Sequence, residues 1–160
     1  MDIKRTYGVT VDLYLKTVLF DRPPTVRVSL NDQVKDLSLD QDTVVSFVEE
    51  ANHGDILQLT VEHYGKTMAD CDPNENLDTA VVIDRINING IESQRFVWQG
   101  LYMPKYEKAY VEEQHNNGTE LASVLKHCNY LGWNGVWTLE FTAPVFTWIH
   151  KTENLGWIYD

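Results

Sequence analysis

Apolar and polar residues alternate with a period of two along most of this chain, and that pattern restricts it to strands with one buried face. In residues 6–20, Val9, Val11, Leu13 and Leu15 fall on one side while Thr10, Asp12, Tyr14 and Lys16 fall on the other. Pro23-Pro24 ends the run, because proline offers no N–H to a ladder. Residues 25–30, 34–39 and 56–64 repeat the alternation, and Asn31-Asp32 and His53-Gly54-Asp55 supply turn chemistry between them. Residues 43–51 fit either a helix behind Asp42 or a strand; the strand is preferred for its β-branched content and its strand neighbours.

In residues 80–89, Val81, Ile83 and Arg85 are expected on one face, with Val82 and Asp84 on the other, before the Asn89-Gly90 turn. Residues 95–101, 136–142 and 145–150 complete the strand set, with Pro144 at a corner between the last two. Short, closely spaced strands without a helical half predict an all-β chain, an antiparallel two-sheet sandwich of the jelly-roll kind. The sandwich is expected over residues 1–150, and residues 151–160 form a C-terminal tail. Residues 104–134 interrupt the pattern as one long irregular loop, with a weak helical signal at 120–127. Loops of that length in compact domains usually make contacts, so this one is a candidate interaction segment.

Composition narrows the function classes. The chain has 160 residues, with 13 Lys plus Arg against 24 Asp plus Glu, a net charge of −11. An acidic exterior without a basic cluster disfavours nucleic acid as a partner. Every apolar run falls far short of the roughly 20 residues of a membrane span. The start of the chain lacks the apolar core of a signal peptide, so synthesis in the cytoplasm is expected. Cys71 and Cys128 are expected as unlinked thiols.

The most chemical-looking stretch is Asp70-Cys71-Asp72-Pro73-Asn74-Glu75-Asn76-Leu77-Asp78, where oxygen-bearing side chains recur at alternate positions. Hard oxygen donors at that spacing suit calcium. An EF-hand is excluded, because Glu75 stands where its glycine is needed and Val81 where its bidentate glutamate is needed. Two readings stay open: a looser calcium site on Asp70, Asp72, Asn74 and Asp78, or an acidic solvated loop.

The histidines, His53, His63, His115, His127 and His150, are scattered, and no nucleophile elbow or metalloprotease motif accompanies them. Glu49-Glu50 and Glu112-Glu113 are adjacent pairs that a strand would point to opposite faces. No enzyme is expected. Gly65-Lys66-Thr67 lacks the earlier glycine of a phosphate loop.

Aromatic residues carry more information. Phe96 with Trp98, Trp137 with Phe141, and Phe146 with Trp148 are expected to fill the core from shared strand faces. Tyr102, Tyr106, Tyr110 and Tyr130 fall in or near the polar segment, beside Gly132-Trp133-Asn134-Gly135. Rings with a polar edge suit stacking on sugars or anchoring a protein interface. The apolar end containing Trp157 and Tyr159 is expected to dock on its own domain or on a neighbouring subunit.

Residues 57–67 (Leu-Gln-Leu-Thr-Val-Glu-His-Tyr-Gly-Lys-Thr), Asp70, and residues 81–90 (Val-Val-Ile-Asp-Arg-Ile-Asn-Ile-Asn-Gly) resemble strands of calcium-dependent, xylan-type carbohydrate-binding modules. Phe96-Val97-Trp98-Gln99-Gly100-Leu101-Tyr102, Pro104-Lys105-Tyr106 and residues 132–148 resemble small proteins of tailed bacteriophages. The resemblance implies a carbohydrate-module-like sandwich serving as a non-enzymatic virion component of tail, baseplate or head surface. Its partners would be other virion proteins or further copies of itself, docked through residues 104–134, Trp157 and Tyr159. The alternative it implies is calcium-assisted glycan binding, with Asp70, Asp72, Asn74 and Asp78 as ligands and Tyr102, Tyr106 or Trp133 stacking on sugar.

Overall fold

A computed structural model describes residues 6–152. The strands are β1 (Thr6–Val18), β2 (Thr25–Leu30), β3 (Gln33–Ser38), β4 (Thr43–Asn52), β5 (Ile56–Tyr64), β6 (Ala80–Ile88), β7 (Ile91–Ser93), β8 (Leu101–Pro104), β9 (Leu125–Lys126), β10 (Tyr130–Leu131) and β11 (Gly135–Thr142). Among the described residues three α-helices accompany them, α1 (Arg95–Gln99), α2 (Lys108–Asn116) and, after the last strand, α3 (Val145–Thr152). One sheet has the order β10-β6-β1-β4 with β7 on β6, and the other β3-β2-β5-β11-β8-β9. All pairings are antiparallel, and the two sheets face each other as a β-sandwich.

The period-two residues fill the space between the sheets. Val9, Val11, Leu13 and Leu15 from one sheet are buried against Val28, Leu59, Val61 and Leu139 from the other. Residues 43–51 lie within β4, so the strand reading holds. In β6 the simple alternation fails, because a bulge opposite Tyr14 and Leu15 skips Asp84. The extra residue reverses the facing of the positions after it. Ile83 and Ile86 are therefore both buried, and Arg85 is turned outward with its guanidinium 4.0 Å from the centroid of the Tyr14 ring.

Three further expectations are corrected. Residues 95–101 are not one strand: α1 comes first and buries the consecutive Phe96 and Val97, a pairing that departs from the period of two. Residues 145–150 belong to α3, which follows a cis Ala143–Pro144 bond and buries Val145 and Ile149 at helical i, i+4 spacing. Phe146, expected in the core, is exposed, whereas Trp148 stacks on Phe96 with centroids 5.8 Å apart.

Nor is the segment 104–134 a single irregular loop. It carries α2, β9 and β10, and the helix occupies Lys108–Asn116 rather than 120–127. Lys, Ala, Glu and Gln favour helix there until Asn117 and Gly118, the latter at φ +82. Cys71 and Cys128 are free thiols. No helix among the described residues is long and apolar enough to cross a membrane.

Candidate functional site

One end of the sandwich carries a cleft of about 590 Å³. Its first wall begins where β5 stops at Tyr64 and the chain turns through Gly65, at φ +74. A 3-10 turn at Met68–Asp70 follows, closed by a capping box between Thr67 and Asp70. A small hairpin then pairs Asp72 with Leu77 and brings Asn76 and Asp78 to the cleft. The second wall is Tyr106, Glu107 and Tyr110 at the start of α2, with the two tyrosine rings 5.8 Å apart. Tyr130, Gly132 and Trp133, in and just after β10, form the third.

The polar groups of this cleft are tightly committed. The Lys66 side chain is only 2% exposed, and its ammonium meets Asp78 Oδ1 and the Gly132 carbonyl. Asp78 Oδ1 also accepts from the Thr79 N–H, and its Oδ2 accepts from the Tyr130 hydroxyl at 2.5 Å. Burial and that bond to Asp78 both push the Tyr130 hydroxyl above the usual tyrosine range, so it stays protonated and donating. The Trp133 indole N–H donates to the Lys105 carbonyl at 3.0 Å, which fixes the ring as a half-buried wall.

Of the residues expected at a site, Tyr106, Tyr110, Trp133 and Asp78 come together here. Tyr102 does not join them. It is buried in β8, and its hydroxyl donates to the Trp133 carbonyl, so it supports the wall from beneath and offers no face to a ligand. Trp157 and Tyr159 lie outside the described residues. The sequence gives no role to Lys66 or Glu107, whereas Asn76 carries a signal as part of the alternating oxygen series and Tyr130 as one of the rings suited to stacking.

The acidic stretch is taken up in ion pairs and a local turn. Both Asp70 oxygens face Arg22, with Nε to Oδ1 at 2.7 Å and Nη2 to Oδ2 at 2.8 Å, and Oδ2 also accepts from the Thr67 N–H. That guanidinium holds the Asp70 carboxyl well below the usual carboxylate range despite its burial. Asp72 Oδ1 accepts from the Asn74 and Glu75 N–H groups in a local turn, and Asn74 is exposed. Asp78 belongs to Lys66. The four expected ligands are thus drawn apart by different partners, and among the described residues no three His, Cys, Asp or Glu side chains are grouped to hold a metal.

Behind the cleft, His63 is 1% exposed. Burial pushes its imidazole below the ordinary histidine value, so the neutral ring donates Nδ1–H to the Leu131 carbonyl at 2.9 Å. Its Nε2 has no partner among the described residues. A second, shallower depression of about 390 Å³ lies between Arg95, Trp98, Lys126 and His127. It is more open than the cleft and gathers one half-buried aromatic ring.

No protein-family model matches the chain, and no curated protein matches it. Among solved structures it is similar to the carbohydrate-binding module vCBM60 in complex with galactobiose, at 11% identity and a TM-score of 0.46, covering 81% of this chain and 96% of that one. It is also similar to a selenomethionine form of vCBM60, described with a circular permutation linking two families of calcium-dependent carbohydrate-binding modules. There the identity is 12% and the TM-score 0.48, with 82% of this chain and 89% of the other covered. At such identities no residue role passes from those modules to this chain.

Proposed function

We propose that the protein is a non-catalytic binding module whose cleft receives a neutral carbohydrate. The observation that supports this is the gathering of Tyr106, Tyr110, Tyr130 and Trp133 around the oxygens of Asn76, Asp78 and Glu107. A sugar ring has a C–H face and a rim of hydroxyls; aromatic faces cover the first, and fixed acceptors meet the second. The volume, about 590 Å³, suits a ligand of a few rings at most. Asp78 keeps acceptor capacity on Oδ2 after bonding Tyr130, so it can take a ligand hydroxyl.

Charge argues for a neutral ligand. Among the described residues, Lys66 is the one Lys or Arg lining the cleft, and its ammonium is occupied by Asp78 and Gly132, whereas Glu107 adds an exposed negative charge. A uronate or sulfated glycan would meet carboxylates with no available cation. No histidine among the described residues lines the cleft, and Asp78 is engaged on both oxygens, which disfavours acid–base catalysis there. Nothing in the fold or the comparisons supports the expectation of a phage particle component, and it forms no part of this proposal.

Native electrophoresis through gels containing neutral or uronate polysaccharides tests the reading. Retardation by at least one neutral polysaccharide and by no uronate polymer is expected, with Trp133→Ala weakening it by roughly tenfold or more. Equal retardation of Trp133→Ala, or none of the native protein across a neutral panel, overturns it.

A further inference from the structure

Lys66 is placed as metal ions often are, at the meeting point of oxygens from separate loops. Its ammonium meets a carboxylate oxygen of Asp78 and the backbone carbonyl of Gly132, and it lies 5.5 Å from the centroid of the Trp133 ring. An ammonium carries three donors. Two are taken by oxygens, and the third is left for the indole face, which attracts a desolvated cation.

The root of the side chain is fixed as well. The Lys66 N–H donates to Asn134 Oδ1, and the Lys66 carbonyl accepts from Asn134 Nδ2, both at 2.8 Å. Two distant stretches of chain, at 78 and 132–134, therefore converge on this one residue. A calcium ion in a sandwich loop would gather the same kinds of oxygen, carboxylate and carbonyl. With Asp78 held by Lys66 and Asp70 by Arg22, those oxygens are already served.

We propose that the Lys66 ammonium is the resident cation of the cleft, a positioning residue that holds Asp78, Gly132 and the Trp133 ring in register and makes the cleft independent of bound metal. The effect on ligand binding rests on the carbohydrate reading; the ordering of the walls does not. Lys66 itself touches no ligand, because its donors point into the wall.

Hydrogen exchange of the native protein, Lys66→Met and Lys66→Arg, each in EDTA and in millimolar calcium, tests this alongside polysaccharide retention. In the native protein, exchange in residues 66–79 and 130–134 is expected to be the same in both conditions. Lys66→Met is expected to exchange roughly tenfold or more faster in those two segments, with the sheets unchanged and no rescue by calcium. Lys66→Arg, which keeps the charge, is expected to recover part of the protection. Slower native exchange with calcium, or protection in Lys66→Met equal to native, overturns the proposal.

If Lys66→Met does not fold, the ammonium of the native protein decides. A slowly exchanging lysine ammonium signal with cross-peaks to an indole ring supports the proposal, and lysine signals that all exchange at the solvent-exposed rate overturn it. Loss of all polysaccharide retention by the native protein, with the exchange pattern as expected, removes the carbohydrate reading and keeps the role of Lys66. Equal retention by native and Lys66→Met does the reverse.

Discussion

Arg22 and Asp70 form the second ion pair that anchors the loop between β5 and β6, and its pH dependence has a definite sign. The Asp70 side chain is 3% exposed, and the Arg22 guanidinium holds its folded-state pKa well below the ordinary value of 3.8. Its contribution is therefore present above that value and lost as the pH falls below it. Asp70→Asn leaves Arg22 without its charged partner and should cost about 1–3 kcal/mol at neutral pH. The gap between variant and native protein in urea unfolding should shrink toward pH 2–3, and a gap unchanged by acid would contradict the assignment. His63 acts at higher pH. Its folded value lies below the ordinary 6.5, so the unfolded chain takes up the proton first and stability declines as the pH drops through that region. These two residues also mark what the sequence hides. Asp70 reads as a metal ligand until Arg22, 48 positions away, is known to face it, and Lys66 reads as a loop lysine until Gly132 and Asp78 close around it. Burial of a charge depends on partners brought by tertiary structure, and local spacing carries no trace of them.

Elements were legible where one face is buried over several residues. β1 and β5 show clean alternation because each sheet has an inner and an outer side. α1 and α3, five and eight residues long, were misread as strands, since apolar runs that short fit both periods. The free edges of the two sheets meet on one side of the sandwich, where Gln33 Nε2 on β3 donates to the Val48 carbonyl of β4 at 2.8 Å and Lys35 reaches the Ser46 carbonyl. Those side chains cover edge acceptors that would otherwise recruit another strand. α2 is different, having no buried residue, yet it begins at the cleft wall with Tyr106 and Tyr110 nearby. Replacing residues 108–117 by a short Gly-Ser link should leave the unfolding free energy within about 0.5 kcal/mol of native. The same change should weaken polysaccharide retention, because it removes Tyr110. A large loss of stability would show that α2 belongs to the core. Packing against Trp137 is the opposite case: a Cβ on Gly100 would come within 2.2 Å of its indole, so Gly100→Ala should destabilise by about 1–3 kcal/mol in thermal or urea unfolding.

At the scale of the molecule, the net charge of −11 disfavours polyanionic partners, and the same physics argues for a neutral ligand in the proposed cleft. The acidic loop from Asp70 to Asp78 supplies two ion-paired carboxylates, and Asp78 alone of these faces the cleft. The aromatic half of the site was visible in the sequence, because tyrosines and a tryptophan in a polar segment have no core to fill. Its polar half was not, because Lys66 and Glu107 acquire a role only when the three walls meet. Binding that relies on ring faces and neutral hydroxyls should vary little with salt. The most direct measurement is a titration of the isotope-labelled protein with soluble neutral oligosaccharides in EDTA, followed by amide and indole NMR shifts. The Trp133 indole N–H and the amides of Lys66, Asp78 and Gly132 should shift together and saturate; shifts confined to the depression around Trp98 and Lys126, or no shifts with any oligosaccharide, would contradict a carbohydrate cleft at this end of the sandwich.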